Sequence, residues 1–212
     1  EITGNDFGTF NLFSYSEDID NAAWAVQRIN KLPNQAVAPD GSKTADKIGK
    51  NTTSTNSHYI NQNHSIQSGN TYTMSVFAKA GELSHIQIAP STGFDPEYQN
   101  FNLLNGSLGN GDVADATITS HGDGWYRCSV TVPCTSTQLG GRMVIMLADS
   151  DTNSRVPSVA GSTNDGVYIW GAQLEESSTV TPYVKSDVTW TSRASNATYY
   201  DYTGTLRKSS YN

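Results

Sequence analysis

The chain has 212 residues, 36% hydrophobic and 16% charged, a length that a β-sandwich commonly occupies as one domain. That charge share undersupplies long charged helices and coiled coils, and it is too low for classical disorder. With 13 basic and 20 acidic residues, the net charge of −7 gives nucleic acid and anionic membrane surfaces little to bind.

No apolar run approaches the ~20 residues that cross a bilayer, so no membrane insertion is expected. Residues 1–10 open with Glu1-Ile2-Thr3-Gly4, without a basic-then-apolar leader, and read as a connector at the start of a soluble, processed or excised piece. Residues 21–32 (NAAWAVQRINKL) carry good helix formers and a capping Asn21, yet Ala22, Trp24, Val26 and Arg28 alternate as a strand does. So short a window leaves helix and strand both open. A turn follows at Ala38-Pro39-Asp40-Gly41.

Residues 71–79 alternate plainly, with Tyr72, Met74, Val76 and Ala78 on one face and Thr71, Thr73, Ser75, Phe77 and Lys79 on the other. Comparable runs occupy residues 85–89, 98–104, 114–119, 125–132, 142–148 and 167–174, with Asn-Gly and Gly-Asp-Gly turns at 105–106, 110–111 and 122–124. Seven such runs predict an all-β, antiparallel β-sandwich. Two stretches without periodic hydrophobics, 90–97 and 149–166, are of the length and kind that is more often functional or mobile than merely connective. Cys128 and Cys134 lie roughly 20 Å apart on an extended chain, so a disulfide needs the sharp turn that Pro133 offers. Two reduced, partly buried thiols are the expectation. From residue 186 to 212 the composition turns to Ser, Thr, Asn and Tyr, and reads as an extended connector.

Several strings in this order resemble one known module. Asn11-Leu12-Phe13-Ser14-Tyr15-Ser16-Glu17-Asp18 with Asn21-Ala22-Ala23-Trp24, Ala38-Pro39-Asp40-Gly41-Ser42 with Thr44-Ala45-Asp46-Lys47, Gly124-Trp125-Tyr126-Arg127-Cys128-Ser129-Val130, and Val167-Tyr168-Ile169-Trp170-Gly171-Ala172-Gln173-Leu174-Glu175 look like a module of bacteriophage virion proteins. That module, found in tail and head fibres, is similar to jelly-roll carbohydrate-binding modules. The resemblance implies a jelly roll over residues 11–185 that binds host-surface or environmental polysaccharide without catalysis. It also implies a place on the virion surface after synthesis in the bacterial cytoplasm, with other virion domains as neighbours. Thr191-Ser192-Arg193-Ala194-Ser195-Asn196-Ala197-Thr198-Tyr199-Tyr200-Asp201, with Gly204-Thr205-Leu206, looks like a second recurring phage segment. Because virion fibres are commonly oligomeric, the aromatics Trp190, Tyr199, Tyr200, Tyr202 and Tyr211 are expected to serve contact between subunits, as in a homo-oligomer.

Jelly rolls also host polysaccharide hydrolases and lyases, so catalysis has to be weighed. A glycosidase needs two carboxyl groups roughly 5 to 9.5 Å apart. Glu1, Glu17, Glu82, Glu97, Glu175 and Glu176 form no Glu-x-Asp-x-Glu strand, and Glu175 and Glu176 point oppositely. There is no Gly-x-Ser-x-Gly elbow, phosphate loop or zinc set, and His58, His64, His85 and His121 are scattered. A non-enzyme is expected, either a glycan binder or a structural spacer of the virion.

No cofactor is required on this reading, though calcium is in question. Asp149, Asp151 and Asn153 alternate as a calcium loop opens, but Ser154 replaces the needed Gly and no Glu closes the loop. The resemblance implies a structural calcium near the first strand, drawing on Glu17, Asp18 or Asp46. Glycan binding needs flat aromatic faces beside planar amides and carboxylates. Trp24, Trp125, Tyr126, Tyr168 and Trp170 read as core, which leaves Phe94, Asp95, Tyr98 and Gln99, with His58, Tyr59, His85 and Gln87, as candidate ligand contacts.

Overall fold

The computed structural model of the chain describes residues 11–95 and 97–186, and the backbone of two further strands. The strands are β1 (Ala25–Gln27), β2 (Ile29–Ala36), β3 (Ala45–Lys50), β4 (Tyr59–Ile66), β5 (Thr71–Ala80), β6 (His85–Ser91), β7 (Gln99–Asn102), β8 (Ser107–Gly111), β9 (Asp115–Ser120), β10 (Trp125–Pro133), β11 (Gln138–Ala148), β12 (Gly166–Glu175), β13 (Thr198–Tyr200) and β14 (Leu206–Lys208). β1-β4-β11-β6-β7-β8 form one six-stranded sheet and β2-β3-β12-β5-β10-β9 a second, both antiparallel throughout. The chain passes repeatedly from one sheet to the other, which gives a jelly-roll β-sandwich. β13 and β14 pair with each other. The connector expected over 1–10 and most of the aromatic tail, Trp190, Tyr202 and Tyr211 among it, lie outside the described residues.

Period-two alternation builds the core. In the second sheet Val130 pairs with Met74, and Cys128 with Val76, so their side chains share the inner face. Ile60, Ile88 and Ile145 do the same in the first sheet, where Ile145 is opposite both isoleucines. All seven runs read from the sequence are strands. Both thiols are free and buried, as expected, with Cys128 on the core face of β10.

The ambiguous segment 21–32 is no helix. Arg28 adopts a φ of +55°, which breaks the alternation and sends β1 to the first sheet and β2 to the second. Trp24, just before it, is buried against Phe13 at 5.1 Å and donates Nε1–H to the Tyr15 carbonyl at 3.0 Å.

The two outer faces differ. On the second sheet, Phe77, Trp125 and Trp170 are buried beneath a return of the chain. Tyr183 packs on Trp170 at 4.9 Å, and Arg127 Nη1 donates to the Thr181 carbonyl at 2.7 Å. These strand tryptophans are therefore structural, as read from the sequence. The outer face of the first sheet carries a depression, and residues 149–165 arch across that face.

Candidate glycan site on the outer face of the first sheet

Antiparallel register sets the floor of this depression. Val144 of β11 lies between Asn61 of β4 and Ala89 of β6, so the centre of the face carries small side chains. Two residues along β11, Arg142 lies between Asn63 and Ser91; two residues the other way, Met146 lies between Tyr59 and Gln87. Long side chains thus flank a short one, and a cavity of about 190 Å³ results, lined by Ser57, Tyr59, Ala89, Ser91, Arg142, Val144, Met146, Arg155 and Val156. The Arg142 guanidinium carbon lies 5.9 Å from the centre of the Tyr59 ring, within cation–π range.

The remaining wall comes from the arching loop, fastened by amide side chains. Gln87 Nε2 donates to the Ser154 carbonyl at 3.0 Å and to Asn100 Oδ1 at 2.8 Å, while its Oε1 accepts from the Val156 backbone N–H at 2.8 Å. Asn100 Nδ2 donates to the Asn153 carbonyl at 2.6 Å, and Asn102 Nδ2 reaches Asp151 Oδ2 at 3.4 Å. Val156 is held at a φ of +60°, which a β-branched residue adopts only where its surroundings impose it. Arg155 donates to the Pro90 carbonyl at 3.0 Å and the Glu97 carbonyl at 3.4 Å, which aligns it along the cavity edge. Farther on, the ammonium of buried Lys50 donates to the carbonyls of Val159 at 2.9 Å and Gly161 at 3.2 Å.

Of the eight candidate contacts, only Tyr59 lines this cavity, and Tyr98 packs on the Ala89, Val144 and Met146 cluster that floors it. The others stand elsewhere. Phe94 is a core residue, edge-on to Tyr72 at 5.8 Å, and Asp95 beside it is exposed. Gln99 is buried, with its amide on the Asn100 and Gly109 carbonyls. His58 is fully buried with Nδ1 2.8 Å from the Arg28 carbonyl, and His85 is buried with Nδ1 3.1 Å from Ser84 Oγ. Burial pushes the His85 imidazole below its ordinary value, opposed by the charges of Asp151 and Asp149. Gln87 lies on the expected face, but the loop covers it, so it positions the wall instead of facing solvent. For Gln87 the cause is that polar alternation marks an outer face without revealing that the chain itself covers part of it.

The residues missed were Arg142 and Arg155. Arg142 begins a run read only for its apolar residues, and Arg155 lies in the loop already singled out for its length.

A larger cavity of about 620 Å³ lies at the turn end of the second sheet, lined in part by Pro39, Lys79, His121, Asp123 and Trp125. The Trp125 ring faces inward, whereas His121 is exposed. Trp125 is 1% exposed, with Nε1 bonded to the Val37 carbonyl at 3.0 Å, and His121 stands edge-on to Phe77 at 4.8 Å.

The calcium candidates separate likewise. Asn153 Oδ1 accepts from the backbone N–H groups of Asp149 and Ser150, and its Nδ2 donates to Asp149 Oδ1 at 3.0 Å, so these side chains close a turn on one another. Glu17 pairs with Lys185 at 2.8 Å instead. Asp18 and Asp46 do meet, together with Asp20, their carboxylate oxygens within 4.8 Å of one another.

Calcium takes six to eight oxygens. Here Asp46 already accepts backbone N–H groups from Ile19 and Asn34, at 2.7 and 2.8 Å. The carbonyls of Asn21 and Trp24, 2.6 and 3.2 Å away, accept from the Lys31 ammonium. Lys31 is held on those carbonyls and makes no ion pair with the three carboxylates among the described residues.

The cluster remains short of positive charge. A hydrogen bond with Asp18, then burial and the charges of Asp18 and Asp46, raise the Asp20 carboxyl to about 6. A carboxyl raised by folding binds more protons in the native than in the unfolded state between its two values, so stability falls as pH rises from about 4 to about 6. Asp20→Asn is expected to flatten that slope in a melting-temperature profile, and to leave the variant more stable than the parent at pH 7.

No protein-family model matches the chain, and no curated protein matches it. Solved structures that the chain is similar to include three at low identity. The enzymatically active domain of tailspike protein 4 from bacteriophage CBA120 aligns at 16% identity and a TM-score of 0.42, over 77% of this chain and 21% of the tailspike chain. The chain thus spans about a fifth of that protein's length. TmCBM61, solved with β-1,4-galactotriose, aligns at 10% identity and a TM-score of 0.39, over 79% of this chain and 99% of its own. CBM35 from Paenibacillus barcinonensis aligns at 11% identity and a TM-score of 0.33, over 76% and 96%.

Proposed function

We propose that this jelly roll is a non-catalytic carbohydrate-binding module, and that the cavity under the 149–165 loop receives one sugar residue of a polysaccharide. The observation that carries this reading is the combination of a half-buried tyrosine ring with guanidinium, hydroxyl and small apolar side chains in one cavity. An aromatic face suits sugar C–H surfaces, and fixed donors suit hydroxyls. No carboxylate or histidine lines the cavity, so the acid and base that glycoside hydrolysis needs are missing there.

The strings shared with virion modules support a setting on a phage particle, bound to host-surface or environmental polysaccharide. Weak single contacts gain strength there from many copies. The alternative, a spacer domain of the virion, predicts no retention on any sugar.

Retention of the folded, multivalently displayed chain on a panel of immobilised polysaccharides tests the reading. Retention on one class is expected, and Tyr59→Ala should weaken it about tenfold, or ~1.4 kcal/mol. Because none of Asp18, Asp20 and Asp46 lines the cavity, a chelator should leave retention unchanged. A folded chain retained on no member of the panel overturns the proposal in favour of the spacer.

A further inference from the structure

Arg142 is the least satisfied polar side chain in the cavity. Its guanidinium has five N–H donors, yet no hydrogen bond to it is found among the described residues, and Nε is shut off from solvent without a partner. Neither Arg142 nor Arg155 has a carboxylate within ion-pair distance among the described residues, where the two side-chain ion pairs are Lys47 with Glu82 and Lys185 with Glu17. In a chain with 20 acidic and 13 basic residues, two arginines that line one cavity without an ion-pair partner among the described residues are an arrangement that solvation of a surface does not require.

Buried polar groups left unbonded are costly and call for an explanation. Arg155 is already anchored by two backbone carbonyls, so its remaining donors are fixed in direction. The floor between the arginines and Tyr59 is Ala89 and Val144, which offer neither charge nor hydrogen bonds.

We infer that the cavity is built for an acidic sugar, with Arg142 and Arg155 receiving the carboxylate of a hexuronate while Tyr59 carries a face of the ring. A planar carboxylate matches the fork of a guanidinium in a way that a lone hydroxyl does not. This inference rests on the glycan-binding reading of the same cavity and adds the class of sugar to it.

The test is affinity electrophoresis of the full chain through gels containing polygalacturonate, alginate or hyaluronan, each run beside its carboxyl-reduced form, with a sulfated galactan and a neutral β-1,4-galactan alongside. At least one uronate polymer should retard the chain at least tenfold more than its reduced form, and the retardation should weaken as salt is raised. Arg142→Gln should abolish that difference with little change in melting temperature, because Arg142 gives up no internal hydrogen bond. Comparing polymer with reduced polymer needs no variant, so the inference stays testable even if Arg142→Gln fails to fold.

Equal retardation by acidic and reduced polymers, or retardation by the neutral galactan alone, overturns the acidic-sugar inference and leaves glycan binding standing. Stronger retardation by the sulfated galactan than by every uronate overturns the carboxylate in favour of a sulfate ester. Retardation by none of these polymers overturns the acidic-sugar inference, and absence of retention across the whole neutral panel as well overturns glycan binding with it.

Discussion

Gln87→Leu is expected to lower the melting temperature by about 6–12 °C and to remove most glycan affinity in the same variant. Gln87 is fully buried and uses both ends of its amide: the nitrogen on Ser154 and Asn100, the oxygen on the Val156 backbone. Leucine fills a similar volume, so little is lost from packing. What remains is a carbonyl, an N–H and a side-chain oxygen without partners. Buried orphans cost about 1–3 kcal/mol each, less whatever water recovers, and a total of about 3 kcal/mol corresponds to that shift in a domain of this size. Affinity falls because segment 154–156 carries the Arg155 and Val156 wall. Thermal melts together with polysaccharide retention check both halves. Lost stability with unchanged retention would mean that the wall is not part of the site.

Gly166→Ala is expected to be at least as damaging, at about 3 kcal/mol or more, while Gly140→Ala should be nearly silent. Gly166 starts β12 opposite Gly49 of β3, where the arching loop rejoins the sheet. A Cβ on Gly166 would lie 1.9 Å from the Ile48 carbonyl oxygen and 2.7 Å from Gly49 Cα, and both of these are backbone atoms. Relief is possible only if β3 and β12 part, which also strains the bonds from Asn164 N–H to the Lys50 carbonyl at 2.7 Å and from Lys50 N–H to the Asp165 carbonyl at 3.0 Å. Overpacking of this kind typically costs 1–3 kcal/mol, and unyielding backbone puts it at the upper end. A Cβ on Gly140 meets nothing within 4 Å. Urea denaturation of the two variants side by side separates steric conflict from any general effect of losing glycine.

These cases show what the sequence could convey. Strands such as β5 and β10 were legible because one face is apolar and the other polar. β3 was not, since every residue of ADKIGK is buried, including Asp46, Lys47 and Lys50, and buried polar side chains erase the alternation. β1 and β2 were obscured by Arg28, whose left-handed backbone interrupts the period within a single residue.

The site was half legible for a related reason. Tyr98 read as a loop or strand-edge candidate and Tyr59 as one on a polar strand, while His85 and Gln87 share the face opposite Ile86 and Ile88. Which of them meets solvent depends on where the loop after β11 comes down, and that is decided by amide pairs as far apart in sequence as Gln87 and Ser154. The loop itself stood out by its length, although nothing local showed that it is clamped or that Arg155 is its contribution. Asp20 escaped notice because β1 and β2 separate it from Asp46 in sequence, and the two meet through the bonds that the Asp46 carboxylate accepts from the Ile19 and Asp20 backbone N–H groups.

The central claim is that a saccharide occupies the cavity between β4, β6, β11 and the arching loop. Hydrogen exchange of backbone amides, with and without a retained polysaccharide fragment, tests it most directly. Slowed exchange is predicted at residues 57–60, 142–146 and 154–156, with little change at 37–41 and 121–125. The reverse pattern, with protection around the larger cavity beside Trp125 and none around Tyr59 and Arg142, would contradict the account.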